Sequence, residues 1–357
     1  MRTQPDQRIS LGCVVIAWLR YGSVLALVAA FGGGCRQPGP IPTLPDQTAP
    51  AADMVAEAEQ IIRDGLTDQN PQIRVNAIEV VAVTKKVKLM PKVQRMLRDQ
   101  FVPVRFAAAL AVGDLQYSLA KADAAKLLND PDENVRIAAA YAAYRLGSTE
   151  SFELLRKALA DKNQTVRANA VFVLGKTGDQ RALSLLYIAL TMRDSDDKVR
   201  YQAVDSIARL GDEHIFEKIW TMLISVYADV RVTGIQAMGN LGTSRARDSL
   251  LNMLDDDVPE VRLAAAEQLG KLGDKSGQNV VLDVFRKNFT AGMSIEARER
   301  IDVFTALAIG QICTDRVRKF LPQLLRNRSK RVRLAAAKAV FQCINQKRLR
   351  RTYSYAG

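Results

Sequence analysis

The chain is poor in the residues that most often carry chemistry. Of its 357 residues one is histidine, His214, and four are cysteine. No Cys-x-x-Cys pair and no cysteine–histidine spacing suited to zinc occurs. A phosphate-cradling glycine loop, a nucleophile elbow and an HExxH motif are also missing. These absences argue against metal-dependent, nucleophilic and phosphoryl-transfer catalysis. No apolar run reaches the roughly 20 residues of a membrane helix, because Arg20 splits the run from Ile9 to Gly34. No aspartate or glutamate follows Asp315, which leaves one end of the chain basic and unopposed.

What the chain does have is a period. A valine- or isoleucine-arginine pair places Arg74, Arg105, Arg136, Arg167, Arg200, Arg231 and Arg262 at intervals of 31, 31, 31, 33, 31 and 31 residues. Asp68, Asp99, Asp130, Asp161, Asp194 and Asp256 each lie six residues before one of those arginines. Small residues such as Ala108, Ala139 and Ala170 follow three after, and Gly147, Gly178, Gly211, Gly242 and Gly273 follow eleven after. Between these markers apolar residues recur at steps of three and four, the helical period. Each unit reads as helix, short turn, helix, turn. The aspartate ends the first helix, alanine allows close packing and glycine supplies a left-handed stop. One such pair cannot bury its apolar face alone, so the stack is the folding unit. Ala297-Arg298 and Val332-Arg333 extend the series at 36 and 35 residues, with Gly292 and Asn327 where the aspartate would stand. The sixth unit carries Ser225 there.

The pattern Asp-x-x-x-x-Val-Arg-x-x-Ala with a later Leu-Gly resembles the HEAT repeat. Its short period is most similar to the HEAT-like repeats of phycobilisome lyases. The resemblance covers about residues 53–344. It implies an all-α, right-handed α-α superhelix of about nine helical pairs, a fold that serves many unrelated tasks. The family name raises bilin-lyase chemistry, but no residue here carries it over.

Two readings of the repeated charges stand. In one, the arginines form a cation array for an anionic ligand. In the other, Asp68, Arg74, Asp99, Arg105, Asp130, Arg136, Asp161, Arg167, Asp194, Arg200, Asp256 and Arg262 form a structural ladder across the turns. The shared register favours the ladder, since a planar guanidinium suits a carboxylate and a pure anion site needs no aspartates.

The first fifty residues do not belong to the stack. Arg2 and Arg8 precede the apolar stretch, and Tyr21 to Phe31 is free of charge, the length of a signal-peptide core. Gly32-Gly33-Gly34-Cys35 resembles the lipobox of bacterial lipoproteins, although Gly32 stands where that family carries leucine. The resemblance implies export and lipidation of Cys35. An uncleaved anchor and a start at Met54, which would leave a cytosolic protein, are the other readings. Residues 1–34 are then the leader and 35–52 a proline-rich tether. Residues 53–344 form the repeats, and 345–357 a basic tail. In polyproline geometry, at about 3.1 Å per residue, the tether spans some tens of ångströms.

The chain carries 51 basic and 38 acidic residues, and thirteen of the basic ones lie from Arg316 onward. One end therefore holds the whole excess. Arg326, Arg328, Lys330, Arg331, Lys347, Arg348, Arg350 and Arg351 are expected either to keep a terminal repeat soluble or to bind an anionic lipid or polymer. Nucleic acid enters only if the protein is intracellular. Cys313 and Cys343 sit fifteen and ten residues after their repeat arginines. That mismatch favours two buried free thiols over a disulfide. On the expected concave face, positions nine after the arginine give Arg145, Lys176, Arg209, Asn240 and Lys271. Positions five after add Tyr141, Phe172 and Asp205. Aromatics beside arginine suit a protein-binding hot spot, or they fill gaps between repeats. The reading that follows is a non-catalytic scaffold without a cofactor, lipid-anchored at a bacterial envelope, holding a protein partner.

Overall fold

The computed structural model describes residues 51–287 and 289–354. Cys35, the leader and most of the tether lie outside them. Every regular element among the described residues is helical, and the helices alternate as first and second members of a unit. The first four units are α1 (Ala51–Gly65) and α2 (Pro71–Val83), α3 (Met90–Arg95) and α4 (Val102–Asp114), α5 (Lys121–Lys126) and α6 (Glu133–Arg145), and α7 (Ser151–Ala158) and α8 (Gln164–Thr177). Then come α9 (Ala182–Thr191) and α10 (Asp197–Arg209), α11 (Phe216–Leu223) and α12 (Ala228–Leu241), and α13 (Ser244–Asn252) and α14 (Pro259–Lys271). The chain finishes with α15 (Gln278–Arg286) and α16 (Ile295–Ile312), then α17 (Asp315–Arg318) and α18 (Leu321–Leu325) ahead of α19 (Lys330–Ser354).

Local chemistry starts and stops these helices. Asn70, Asp132, Asn163 and Asp196 accept backbone N–H bonds at the starts of α2, α6, α8 and α10. At the other end, the residue eleven after each arginine is left-handed. Gly147, Gly178, Gly211, Gly242 and Gly273 all have φ between 70° and 100°. Lys85 and Gln116 hold the same position in the first two units, at φ 54° and 47°.

Each second helix packs on the second helix of the next unit and on its own first helix. This sandwich buries it on almost every side. In α8 every residue from Val166 to Gly175 is buried. Ala108, Ala139 and Ala170 have no exposed surface and set the close approach of neighbouring helices.

The stack does not end in two open faces. α19 packs against both α1 and α2, so the units close into a ring. Leu334 lies against Gly65, where an added Cβ would come within 3.1 Å of it. The seam is charge-complementary. Lys330 Nζ is 2.6 Å from Asp68, Arg326 Nε is 3.2 Å from Glu57, and Lys338 Nζ is 3.1 Å from Glu79. Lys86 Nζ also sits 3.4 Å from the centre of the Phe341 ring. The all-α HEAT-like stack is as expected, but its last unit is not a free basic cap: it is covered by the first, and the stack closes into a ring.

The eighth unit also changes register. Asn327 Nδ2 donates to Asp302 Oδ2 at 3.0 Å across 25 residues, the separation of the pairs Arg74–Asp99, Arg105–Asp130 and Arg231–Asp256. Cys313, eleven residues after Asp302, has the left-handed φ of 54° that marks this position elsewhere. Asp302, and not Arg298, therefore stands where the repeat arginine would. The insertion lies wholly ahead of it and lengthens α16 to 18 residues. With that register Cys313 and Cys343 fall eleven and ten residues into their units, side by side on adjacent second helices. They form a disulfide. The expectation of two free thiols fails because it was counted from Arg298.

Candidate functional site

Two edges of the ring carry the singled-out residues. The ladder edge holds the turns between first and second helices. Arg74 forks onto Asp99 through Nε and Nη2 at 3.0 and 2.9 Å, and Arg105 holds Asp130 the same way at 2.8 and 2.9 Å. Arg231 reaches Asp256 at 2.8 Å and Arg167 reaches Asp194 at 2.9 Å. Each of these arginines also donates from Nη1 to the carbonyl six residues before it, in its own turn. Asp99, Asp130 and Asp256 accept in turn from the backbone amide two residues on, those of Phe101, Asp132 and Val258. The guanidinium thus ties two units by their turns.

Burial pushes the Asp130 carboxyl up, but hydrogen bonds from Arg105 and the Asp132 amide, with the charges of Arg105 and Arg136, leave it below the usual range. Three other arginines are placed differently. Arg136 lies 3.1 Å from Glu133, Arg200 lies 3.6 Å from Asp197, and Arg262 donates to the carbonyls of Asp256 and Asp257. Asp161 accepts from the Asn163 amide, and Asp68 holds Lys330 across the seam.

The opposite, rim edge is where the second helices end. Arg145, Lys176, Arg209 and Lys271 all occupy last turns, where a cation complements the helix dipole. Most of this row is knitted together. Tyr141 donates to Asp114 at 2.6 Å, and Lys176 Nζ reaches Asp114 at 2.9 Å, passing over the Tyr141 and Phe172 rings. Arg209 pairs with Asp205 at 2.9 Å, Asn240 donates to Asp205 at 2.6 Å, and Lys271 donates to Asn240 at 2.8 Å. Burial first, and then Asp114, drives the Tyr141 hydroxyl well above the usual phenol range, so it serves as a donor and not as a base. Tyr141, Phe172 and Asp205 are 1%, 7% and 5% exposed. Of the two readings of the aromatics, a hot spot or a filling of gaps between repeats, this burial favours the second, and Asp205 is buried with them.

Of the basic-end residues, Arg326, Lys330 and Arg331 face Glu57, Asp68 and Glu299. Arg328 is exposed. Lys347, Arg348, Arg350 and Arg351 fall on α19, which continues as helix through the segment expected to be a tail. Sequence reasoning missed an apolar cluster on the ladder edge of the sixth unit. There Ile224, Val226 and Tyr227 are 67%, 86% and 67% exposed, and Trp220, 38% exposed, stands in the helix α11 that Ile224 follows. The available signal was Ser225 in place of the ladder aspartate, followed by two apolar residues, Val226 and Tyr227, where Asn70, Asp132, Asn163 and Asp196 cap four of the other turns. Among the described residues no three histidine, cysteine, aspartate or glutamate side chains gather as a metal site, and no helix is long and apolar enough to cross a membrane. His214 is exposed, with Nδ1 2.7 Å from Asp212.

A family model of HEAT repeats matches residues 122–208 and 221–300. Those two stretches carry HEAT repeats. No curated protein matches it by sequence. Among solved structures it is similar to the CpcE–CpcF complex of phycocyanin lyase from a Nostoc species, at 18% identity over 71% of this chain and 98% of that one, with a TM-score of 0.43. Human deoxyhypusine hydroxylase matches at 17% identity over 74% and 98%, TM-score 0.36, and YibA of Escherichia coli at 20% over 72% and 96%, TM-score 0.35.

Proposed function

We propose that this protein is a non-catalytic scaffold, exported and lipid-anchored through Cys35 at a bacterial envelope, and that it binds a protein partner. The HEAT-repeat architecture suits such a role, because a stack of short units offers long edges on which few residues are needed for chemistry. The observation that carries the reading is the cluster of Trp220, Ile224, Val226 and Tyr227. Large apolar side chains standing exposed together at one turn are costly in water unless another surface covers them, and tryptophan and tyrosine are the anchors such interfaces favour. The partner surface accordingly moves from the concave face to the ladder edge of the sixth unit. Export is supported by the Cys313–Cys343 bond, since disulfides persist in oxidising compartments. The polyanion alternative loses ground because Arg326, Lys330 and Arg331 already face carboxylates.

A photo-crosslinking residue placed at Tyr227, and separately at exposed Lys162 on the same edge, tests the partner surface in cells. One discrete adduct from position 227, lost in Val226→Asp, is the expected result. Equal labelling from both positions, or none from 227, overturns it. Intact mass and fractionation of native protein and Cys35→Ser test the anchor. A membrane-bound chain starting at Cys35 with added lipid mass is expected, and a soluble unlipidated chain rules it out.

A further inference from the structure

The joint between the fifth and sixth units keeps its ladder arginine and lacks its aspartate. Arg74, Arg105 and Arg231 each reach the carboxylate 25 residues on, and 25 residues after Arg200 stands Ser225. Where the aspartate is present, as at Asp99 and Asp130, it accepts from the amide two residues on and also takes the arginine of the unit before. Ser225 does only the first. Its Oγ accepts from the Tyr227 amide at 3.2 Å, but it has no charge to offer Arg200. Arg200 turns back on its own unit, 3.6 Å from Asp197 and 3.5 Å from the carbonyl of Met192. These contacts are long beside the 2.8 to 3.0 Å of the paired joints. Its side chain is 40% exposed, whereas those of Arg74, Arg105 and Arg231 are 11%, 13% and 10% exposed.

The open place adjoins the exposed apolar cluster, for Ser225 lies between Ile224 and Val226. Tyr201, next to Arg200, closes the distance from the other side. Burial first, and then the charges of Asp197 and Asp229 with Tyr227 beside them, push its hydroxyl above the usual phenol range. The exposed acids around the cluster are differently engaged. Asp229 accepts from the Val230 amide at 3.0 Å, and Asp257 belongs to the next joint, 2.9 Å from Arg231. Asp197 stands in the first turn of α10 and is 74% exposed. A surface pair as long as Asp197–Arg200 is worth little, so it yields to a better-placed carboxylate.

We infer that this joint takes an acidic segment of the partner protein, whose carboxylate pairs with Arg200 in the place the ladder aspartate holds elsewhere, while a large apolar side chain next to it covers Ile224, Val226 and Tyr227. The inference rests on the partner surface already proposed and names the chemistry that surface selects. A planar guanidinium beside apolar side chains suits a carboxylate held in a fork. The apolar contacts supply most of the affinity, and Arg200 decides the sign of the charge that is admitted beside them. The partner thus completes the ladder from outside at the joint where the chain leaves it incomplete.

The test uses the full chain as purified and, as probe, a displayed library of random peptides, counter-selected on Val226→Asp so that the survivors bind this edge. They are expected to carry aspartate or glutamate close to a large apolar residue. Each should bind roughly ten- to a hundred-fold more weakly to Ser225→Asp and to Arg200→Gln. Ser225→Asp should also melt higher than the parent, because it fills the joint from within. A variant that gains stability while losing the peptide has not lost it by misfolding. Changing the peptide's acid to its amide should cost as much, and should make the peptide indifferent to Arg200→Gln. Survivors without an acid, or survivors that bind Ser225→Asp as tightly as the parent, overturn the inference. In cells, a crosslinked adduct from position 227 that is lost in Val226→Asp but kept in Ser225→Asp also overturns it, and leaves the partner surface standing. No surviving peptide and no adduct from 227 would sink the partner surface itself.

Discussion

At the scale of single residues, the ladder shows why a repeated Asp–Arg pair was readable. Arg74, Arg105, Arg167 and Arg231 each have two jobs, a carbonyl of their own turn and the carboxylate of the next, and both are set by the period. Where the pattern breaks, the chemistry inverts. Asp302 occupies the arginine's place and meets Asn327, and burial, only partly opposed by Asn327 and Arg298, holds its carboxyl above the ordinary range. A carboxyl raised in this way favours the fold when protonated. Its contribution is complete below the unfolded value near 4 and is lost as pH climbs through the raised folded value. Asp302→Asn should therefore melt higher than the parent at neutral pH. The gain should close as the buffer is taken to about pH 4, and thermal unfolding across that range will show it.

At the scale of elements, the helix ends and crossings obey two opposite glycine rules. Gly270 lies where α14 touches α16, and a Cβ there would come 2.8 Å from the backbone of Gln311. Backbone cannot swing away as a side-chain tip can. An exposed mid-helix glycine gains stability on replacement by alanine. Gly270→Ala should instead lose roughly 1–3 kcal/mol in chemical denaturation. Gln116 sits in the left-handed region at φ 47° and has a side chain that resists it. Gln116→Gly should gain up to about 1 kcal/mol, and a glycine no better than glutamine there would contradict the stop assigned to the repeat. Both positions follow from the period. The sequence marks position eleven openly, whereas the crossing at Gly270 depends on which helix α16 brings to it.

At the scale of the whole molecule, closure changes how the charge should be read. Residues 51–83 carry six acids, Asp53, Glu57, Glu59, Asp64, Asp68 and Glu79, against the bases Arg63 and Arg74. The basic last unit is the complement of this first one, so most of its excess near the seam is an interface and not a free patch. Reversing Lys330 to Glu should weaken the seam, and small-angle scattering should show a larger radius of gyration as the ring opens. Adding Asp68→Lys should restore the parent value. An unchanged radius in the single variant would mean that apolar contacts such as Leu334 on Gly65 hold the ring without the ion pairs. The exposed seam pairs are each worth little, about 0–1 kcal/mol, so the reversal acts mainly through like-charge repulsion.

The sequence by itself determined the all-α repeat and the helix boundaries near each aspartate and glycine, and it marked the aspartates that Arg74, Arg105, Arg167 and Arg231 take. These are local matters, settled within one unit and its neighbour. Tertiary structure alone decided that the ends meet, that Tyr141 and Phe172 are buried in joints, and that the eighth unit is counted from Asp302. The last point also decided the disulfide, because Cys313 and Cys343 align only in that register. The physical reason is one of range. Whether a stack closes depends on small rotations summed over every joint, and an insertion near Asn288 shifts the count without leaving a mark that the repeat motif itself can show. The fate of a side chain five residues past an arginine likewise depends on how closely the next helix approaches, which the period does not state.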